Sequence, residues 1–172
     1  MERATLSLTP KGPNTTVATV MSFLQRLGRF VIGGSGAVKD PAAVLLETYS
    51  DAARRLQFLE RHALLAPQEY SRKGLEVLAE SARHQVDRVR AELRHRGVGL
   101  PVEPAATASS AAAANHWGRL VEDLELHRAA AQRLRELAFH FADVDAALSK
   151  LLEELCEEYL RSCERLRALI AR

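Results

Sequence analysis

The sequence predicts an all-α protein: an antiparallel four-helix bundle of two helical hairpins joined by a long crossover, with an amphipathic N-terminal arm. Three observations predict it. Apolar residues recur at three- and four-residue steps through four long stretches, which is the period of a helix with one buried face. Aromatics are only 5% of the 172 residues while Ala, Leu, Arg and Glu dominate, a balance that favours helix over strand. Helix breakers cluster at Ala66-Pro67, from Gly97 to Pro104, and near Asp143, which gives short, long and short connections.

Composition bounds the rest. A chain of 47% hydrophobic and 27% charged residues has the make-up of a single globular domain, one that buries roughly 70% of its unfolded surface. The formal charge of +2, with acidic and basic residues alternating along the helices, excludes nucleic acid as the expected partner. No apolar run is long enough for a membrane-spanning helix. Cys156 and Cys163 are seven residues apart on one predicted helix. Their α-carbons would lie about 10 Å apart, too far for a disulfide. A reducing, cytoplasmic setting is therefore expected, peripheral to a membrane or assembly if the arm docks.

Residues 1–39 form the arm. Pro10 and Pro13 keep its start irregular, and after Glu2 no Asp or Glu occurs before Asp40, although Lys11, Arg26, Arg29 and Lys39 do. Val20, Phe23, Leu24, Leu27, Phe30 and Val31 make one apolar face of a short helix, opposite Ser22, Gln25, Arg26 and Arg29. Gly33, Gly34 and Gly36 stop it. Three uses of that face compete. It packs on its own domain or an identical subunit, it docks on a protein partner or anionic membrane surface through residues 16–38, or it serves as an organelle presequence. The docking set is Val20, Phe23, Leu24, Arg26, Leu27, Arg29, Phe30 and Val31.

Residues 40–172 carry the bundle, with helices expected at about 41–65, 68–97, 112–141 and 144–171. Asp40-Pro41 caps and starts the first, which turns Leu45, Tyr49, Ala52, Leu56, Leu59 and Ala63 inward. Pro67 restarts the chain into the second, with Leu75, Leu78, Ala82, Val86, Val89 and Leu93 inward and Gly97 at its end. A Pro- and Ala-rich crossover follows, and Ser109 or Ser110 is the expected cap of the third helix. Trp117, Leu120, Leu124, Ala131, Leu134, Ala138 and Phe141 form the third stripe. Leu148, Leu152, Leu155, Tyr159, Leu166 and Leu169 form the fourth, with Asp143 as its cap.

Four segments carry a family resemblance: "AVLLETYSDAARRLQFLERHALLA", "LEVLAESARHQVDRVRAELRHRG", "NHWGRLVEDLELHRAAAQRLRELA" and "LLEELCEEYLRSCERLRALI". In helix order and texture, about three quarters of the chain resembles the ferritin-like superfamily, especially its rubrerythrin-type four-helix bundles. That resemblance implies a bundle with one long crossover and, in its catalytic members, a di-iron centre held by inward Glu and Glu-x-x-His residues. Here the motif is degenerate. Ala52 stands at the first glutamate position, Ala82 and Gln85 replace the Glu and His of the second helix, and Leu160 follows Glu157 where histidine belongs. The chain's own Glu-x-x-His, Glu92 and His95, falls in a last helical turn.

His127 is the polar break in the third stripe, one turn after Leu124. It is the metal-ligand candidate, set opposite Gln85 and Tyr159. The blander reading, a buried neutral imidazole hydrogen-bonded to its neighbours, is preferred. Glu80 with His84, and Glu136 with His140, read as surface pairs; Glu153, Glu154, Glu157 and Glu158 read as a solvated face near Arg161 and Arg165. Cys156 and Cys163 read as buried small hydrophobes, and Trp117 and Tyr159 as core anchors. The expectation is a non-catalytic interaction or scaffold protein, homo-oligomeric and without cofactor, that docks through its arm. The alternatives are an atypical iron or other divalent-metal protein of di-iron or ferroxidase type, and a helical protein held on a membrane surface.

Overall fold

The computed structural model describes residues 39–100 and 115–172. The docking face from Val20 to Val31 and the expected caps Ser109 and Ser110 lie outside the described residues. Four helices account for most of the rest: α1 (Pro41–Leu64), α2 (Glu69–His95), α3 (His116–Phe141) and α4 (Ala146–Ile170). Among the described residues there is no strand, and no helix is long and apolar enough to cross a membrane.

Helix ends follow from local hydrogen bonding. The Asp40 side chain accepts from the Ala42 amide at 3.0 Å, and Pro41 occupies the first turn, where an amide hydrogen would have no partner. At the far end of α2, Gly97 adopts φ +68°, the left-handed region that glycine enters without a Cβ clash. The Gly97 amide then donates to Arg94 and the Val98 amide to Leu93, the paired bonds of a Schellman stop.

Three boundaries differ from the sequence expectation. α2 begins at Glu69, one residue later than expected, behind Gln68, whose side chain makes no capping bond. α3 begins at His116 rather than near residue 112, because Asn115 is extended and its side chain takes the Gly118 amide at 2.7 Å. α4 begins at Ala146, and its cap is Asp145, not Asp143. The Asp145 carboxylate accepts from the Leu148 amide at 3.0 Å, while its own amide donates to Phe141 at 2.8 Å.

α1 packs extensively on α2, and α3 on α4; thinner seams join α1 to α3 and α2 to α4. The core falls into two clusters. One gathers Leu45, Tyr49, Val89, Leu93, Leu134, Phe141, Leu148 and Leu152; the other gathers Leu59, Leu75, Leu78, Leu120, Leu124 and Leu166. Half-buried Leu56 of α1 touches both. Each fully covered Leu or Phe contributes about 1.5–3 kcal/mol from apolar burial, so the four stripes supply most of the cohesion.

The seams carry charge. Arg133 of α3 bonds Glu47 and Asp51 of α1. Arg88 of α2 bonds Glu154 and Glu158 of α4, and Arg96 bonds Asp145. Two of the four carboxylates expected to form a solvated face on α4 are thus committed across a seam. Trp117 also departs from expectation. It is 60% exposed rather than a core anchor, because α3 starts one residue before it, so it sits in the first turn.

Candidate functional site

A column of polar side chains runs through the seam between α1 and α3. On α3, His116, Arg119, Asp123 and His127 are spaced by three, four and four residues, so one helical face presents all of them. On α1, Arg55, Phe58 and His62 follow the same rule. Leu59 and Ala63 beside His62, and Leu120 and Leu124 beside Asp123, draw this face into the core.

His62 and Asp123 are each 2% exposed. The Nδ1–H of His62 donates to Asp123 Oδ2 at 2.7 Å, and the Phe58 ring stacks nearly parallel to the imidazole at 6.3 Å. The carboxylate fixes which imidazole nitrogen carries the proton. His62 Nε2 is buried and has no hydrogen-bond partner.

His127 donates from Nδ1 to the Asp123 carbonyl at 2.7 Å and meets the Tyr159 ring edge-on at 5.5 Å. Burial pushes its pKa below the usual histidine value; the bond to Asp123 opposes that, and the Arg55 guanidinium adds to it. Arg55 in turn donates from Nε to the Tyr159 hydroxyl at 3.1 Å and lies over the Tyr159 ring at 4.6 Å. Burial raises the Tyr159 phenol, which keeps it protonated.

At the upper end of the column both ring nitrogens of His116 are buried without a partner, as is Arg119 Nε. Arg119 Nη2 reaches the Leu65 carbonyl at 3.3 Å, which ties α3 to the last turn of α1. Burial, and then the Arg119 charge, lower the pKa of His116. The column therefore holds three imidazoles, two guanidiniums, one phenol and one carboxylate. Its chemistry is that of proton-bearing groups held out of water.

The other sequence candidates are placed as follows. Ala52, Ala82 and Gln85 are buried, and Gln85 Oε1 has no partner. Glu157, the stand-in for a core glutamate, instead faces outward toward Arg161 at 3.9 Å, and Leu160 is 40% exposed. Glu92 of the Glu-x-x-His accepts from Arg96 at 2.6 Å, while His95 is exposed. Glu80 and His84 form a surface pair at 3.5 Å. Glu136 accepts from Gln132, and His140 lies against Phe141. Both cysteines are buried and free; Cys156 Sγ donates to the Ala131 carbonyl at 3.2 Å. Among the described residues no group of three or more His, Cys, Asp or Glu could hold a metal ion.

The sequence reading singled out His127 and Tyr159 but passed over His62, Asp123, His116 and Arg55. The available signal was the four- and seven-residue spacing of His116, Asp123 and His127, which puts all three on the inward face of α3. Comparisons with protein-family models, with curated proteins and with solved structures find no match for this chain.

Proposed function

We propose that the protein is a non-catalytic, ferritin-like interaction protein that self-associates and docks to a partner through its N-terminal arm. The antiparallel ferritin-like arrangement is supported by the order of cross-seam pairs. Asp51 lies by Arg133 and His62 by Asp123, so the numbering rises along α1 as it falls along α3. Gly74 approaches Leu169, Arg88 meets Glu154 and Arg96 meets Asp145, so α2 and α4 run opposite ways too. α2 ends beside Asp145 and α3 begins beside Leu65, at opposite ends of the helices, and end points so placed support the single long crossover of the ferritin-like plan.

A docking role is favoured over ferritin-type catalysis by what fills the inward positions: alanine at 52 and 82, an amide at 85, and a glutamate at 157 that faces solvent. The observation that carries self-association is apolar surface left uncovered at one end of the helices. Leu64 is 85% exposed at a groove of about 490 Å³ that Ala63 and Ala79 line together with Glu60, Glu76, Glu80 and Arg83, and Leu65 and Trp117 are exposed where α1 ends and α3 begins. Acid-free residues 16–38 supply a second apolar face with arginines opposite it, the pattern of a helix that seats in a groove.

The arm is tested by placing charge on its apolar face. Leu24→Asp with Leu27→Asp is expected to abolish capture of the partner while far-UV circular dichroism stays unchanged. Unaltered binding by that double variant means the arm is not the docking element.

A further inference from the structure

We propose that the α1–α3 seam is an acid-operated clasp: protonation of His116 and His127 parts α1 from α3 around the His62–Asp123 pair while the α1–α2 and α3–α4 helix pairs stay folded. His127 is faced by Arg55 from α1, by Asp123 from its own helix, and by the un-ionised Tyr159 from α4. His116 is faced by Arg119 and Asp123 from its own helix and by His62 from α1. Each of these two imidazoles thus has an arginine beside it, and a guanidinium keeps its charge throughout the physiological range.

The anion shared by both, Asp123, already accepts from His62 at 2.7 Å. A second proton on His127 or His116 would therefore create a buried like-charge contact with little left to neutralise it. The unpartnered nitrogens point the same way. Both nitrogens of His116 are buried without an acceptor, so an added N–H there gains no hydrogen bond in the closed seam. Parting the seam gives each of them water.

The sign follows from the depressed histidines. Both have folded-state pKa values below the ordinary 6.5, so the closed seam binds fewer protons than the open one. Closure is favoured above about pH 6.5 and is lost as pH falls through the lowered values. The histidines outside the seam, His84, His95 and His140, are exposed. The seam is also the thinner kind of contact in this protein, whereas the α1–α2 and α3–α4 pairs are extensive. Trp117, the chain's single tryptophan, follows His116 directly and reports on this end.

The test is amide hydrogen exchange on the full chain at about pH 7.5 and about pH 5, corrected for intrinsic exchange rates, with far-UV circular dichroism alongside. The expected result is a loss of protection of about tenfold or more in residues 55–64 and 116–127, with α4 protection and helical signal retained and a change in Trp117 fluorescence. The His116→Gln, His127→Gln double variant is expected to keep its protection at the lower pH. His116→Gln alone, at the less buried ring, serves if the double variant does not fold, and should retain part of it. The proposal is overturned if wild-type protection is unchanged, if helical signal is lost together with protection, or if the glutamine variants open as wild type does.

Discussion

His62 of α1 and Asp123 of α3, each all but inaccessible to solvent, meet at 2.7 Å in a hydrogen bond between imidazole and carboxylate that spans 61 residues of sequence. A buried partner of this kind is expensive to remove alone, because the group left behind stays desolvated. Asp123→Ala should cost about 1–3 kcal/mol of unfolding free energy. The His62→Leu, Asp123→Leu pair should cost much less than the sum of the single changes, with a coupling of about 1–3 kcal/mol. Urea unfolding of the four proteins measures this; additive losses would show that the two side chains do not act as a pair.

Asp145 does two jobs where α3 turns into α4. It caps the Leu148 amide and bonds Arg96 across to α2, and Arg96 is the first cause of its lowered pKa. Asp145→Ala should destabilise by about 0.5–2 kcal/mol through the lost cap, with little added from a partly exposed ion pair. A depressed carboxyl contributes stability that is present above its unfolded value near 3.8 and is lost as pH falls through the folded value. Acid titration of wild type against Asp145→Ala should therefore show the two stabilities converging below about pH 4.

Two glycines separate steric from conformational demands. At Gly97, φ is +68° and a Cβ would meet nothing within 4 Å, so Gly97→Ala should cost about 1 kcal/mol purely from the left-handed backbone. At Gly74 a Cβ would lie 2.6 Å from the tip of Leu169, a flexible end that can turn aside. The gain in helix propensity offsets that shift, so Gly74→Ala should stay within about 1 kcal/mol of wild type, whereas Gly74→Leu overpacks the α2–α4 seam by about 1–3 kcal/mol. Thermal unfolding of the three variants distinguishes them, with Gly74→Leu the least stable.

Both cysteines should be inert in the folded protein. Burial raises the Cys163 thiol above its ordinary value, and Cys156 donates to the Ala131 carbonyl from within the core. Alkylation of either at neutral pH should be at least about tenfold slower than for a free thiol, and should become fast only in denaturant. Rapid native-state labelling of Cys156 would contradict its place in the core.

The helices were legible because each stripe repeats at helical spacing and each inward Leu or Ala has only one face to join. Val89, Leu93, Phe141, Leu148 and Leu152 are all buried as the periodicity requires. What failed was local competition. Asp143 and Asp145 are equal as caps in sequence; the structure uses Asp145, which also bonds Arg96, forty-nine residues away. Trp117 sits on the stripe by spacing, but α3 has barely begun there, so nothing packs over it. His127 was legible as a buried position because one polar residue interrupts an apolar row, but its hydrogen bond goes to the Asp123 carbonyl rather than to Gln85 or Tyr159. The His62–Asp123 bond was not legible, since its two halves lie on different helices and their meeting depends on the register of α1 against α3. Periodicity within one helix does not encode that register.

The central claim, that this is a self-associating interaction protein, is tested most directly by sedimentation equilibrium of the full chain across a range of concentrations. Wild type should give a mass of at least twice the 19.0 kDa chain, falling toward one chain on dilution. Leu64→Glu with Trp117→Glu should give the single-chain mass at every concentration with its helical signal intact. A wild-type chain that sediments at 19.0 kDa throughout, or a double variant that associates as wild type does, would contradict the account.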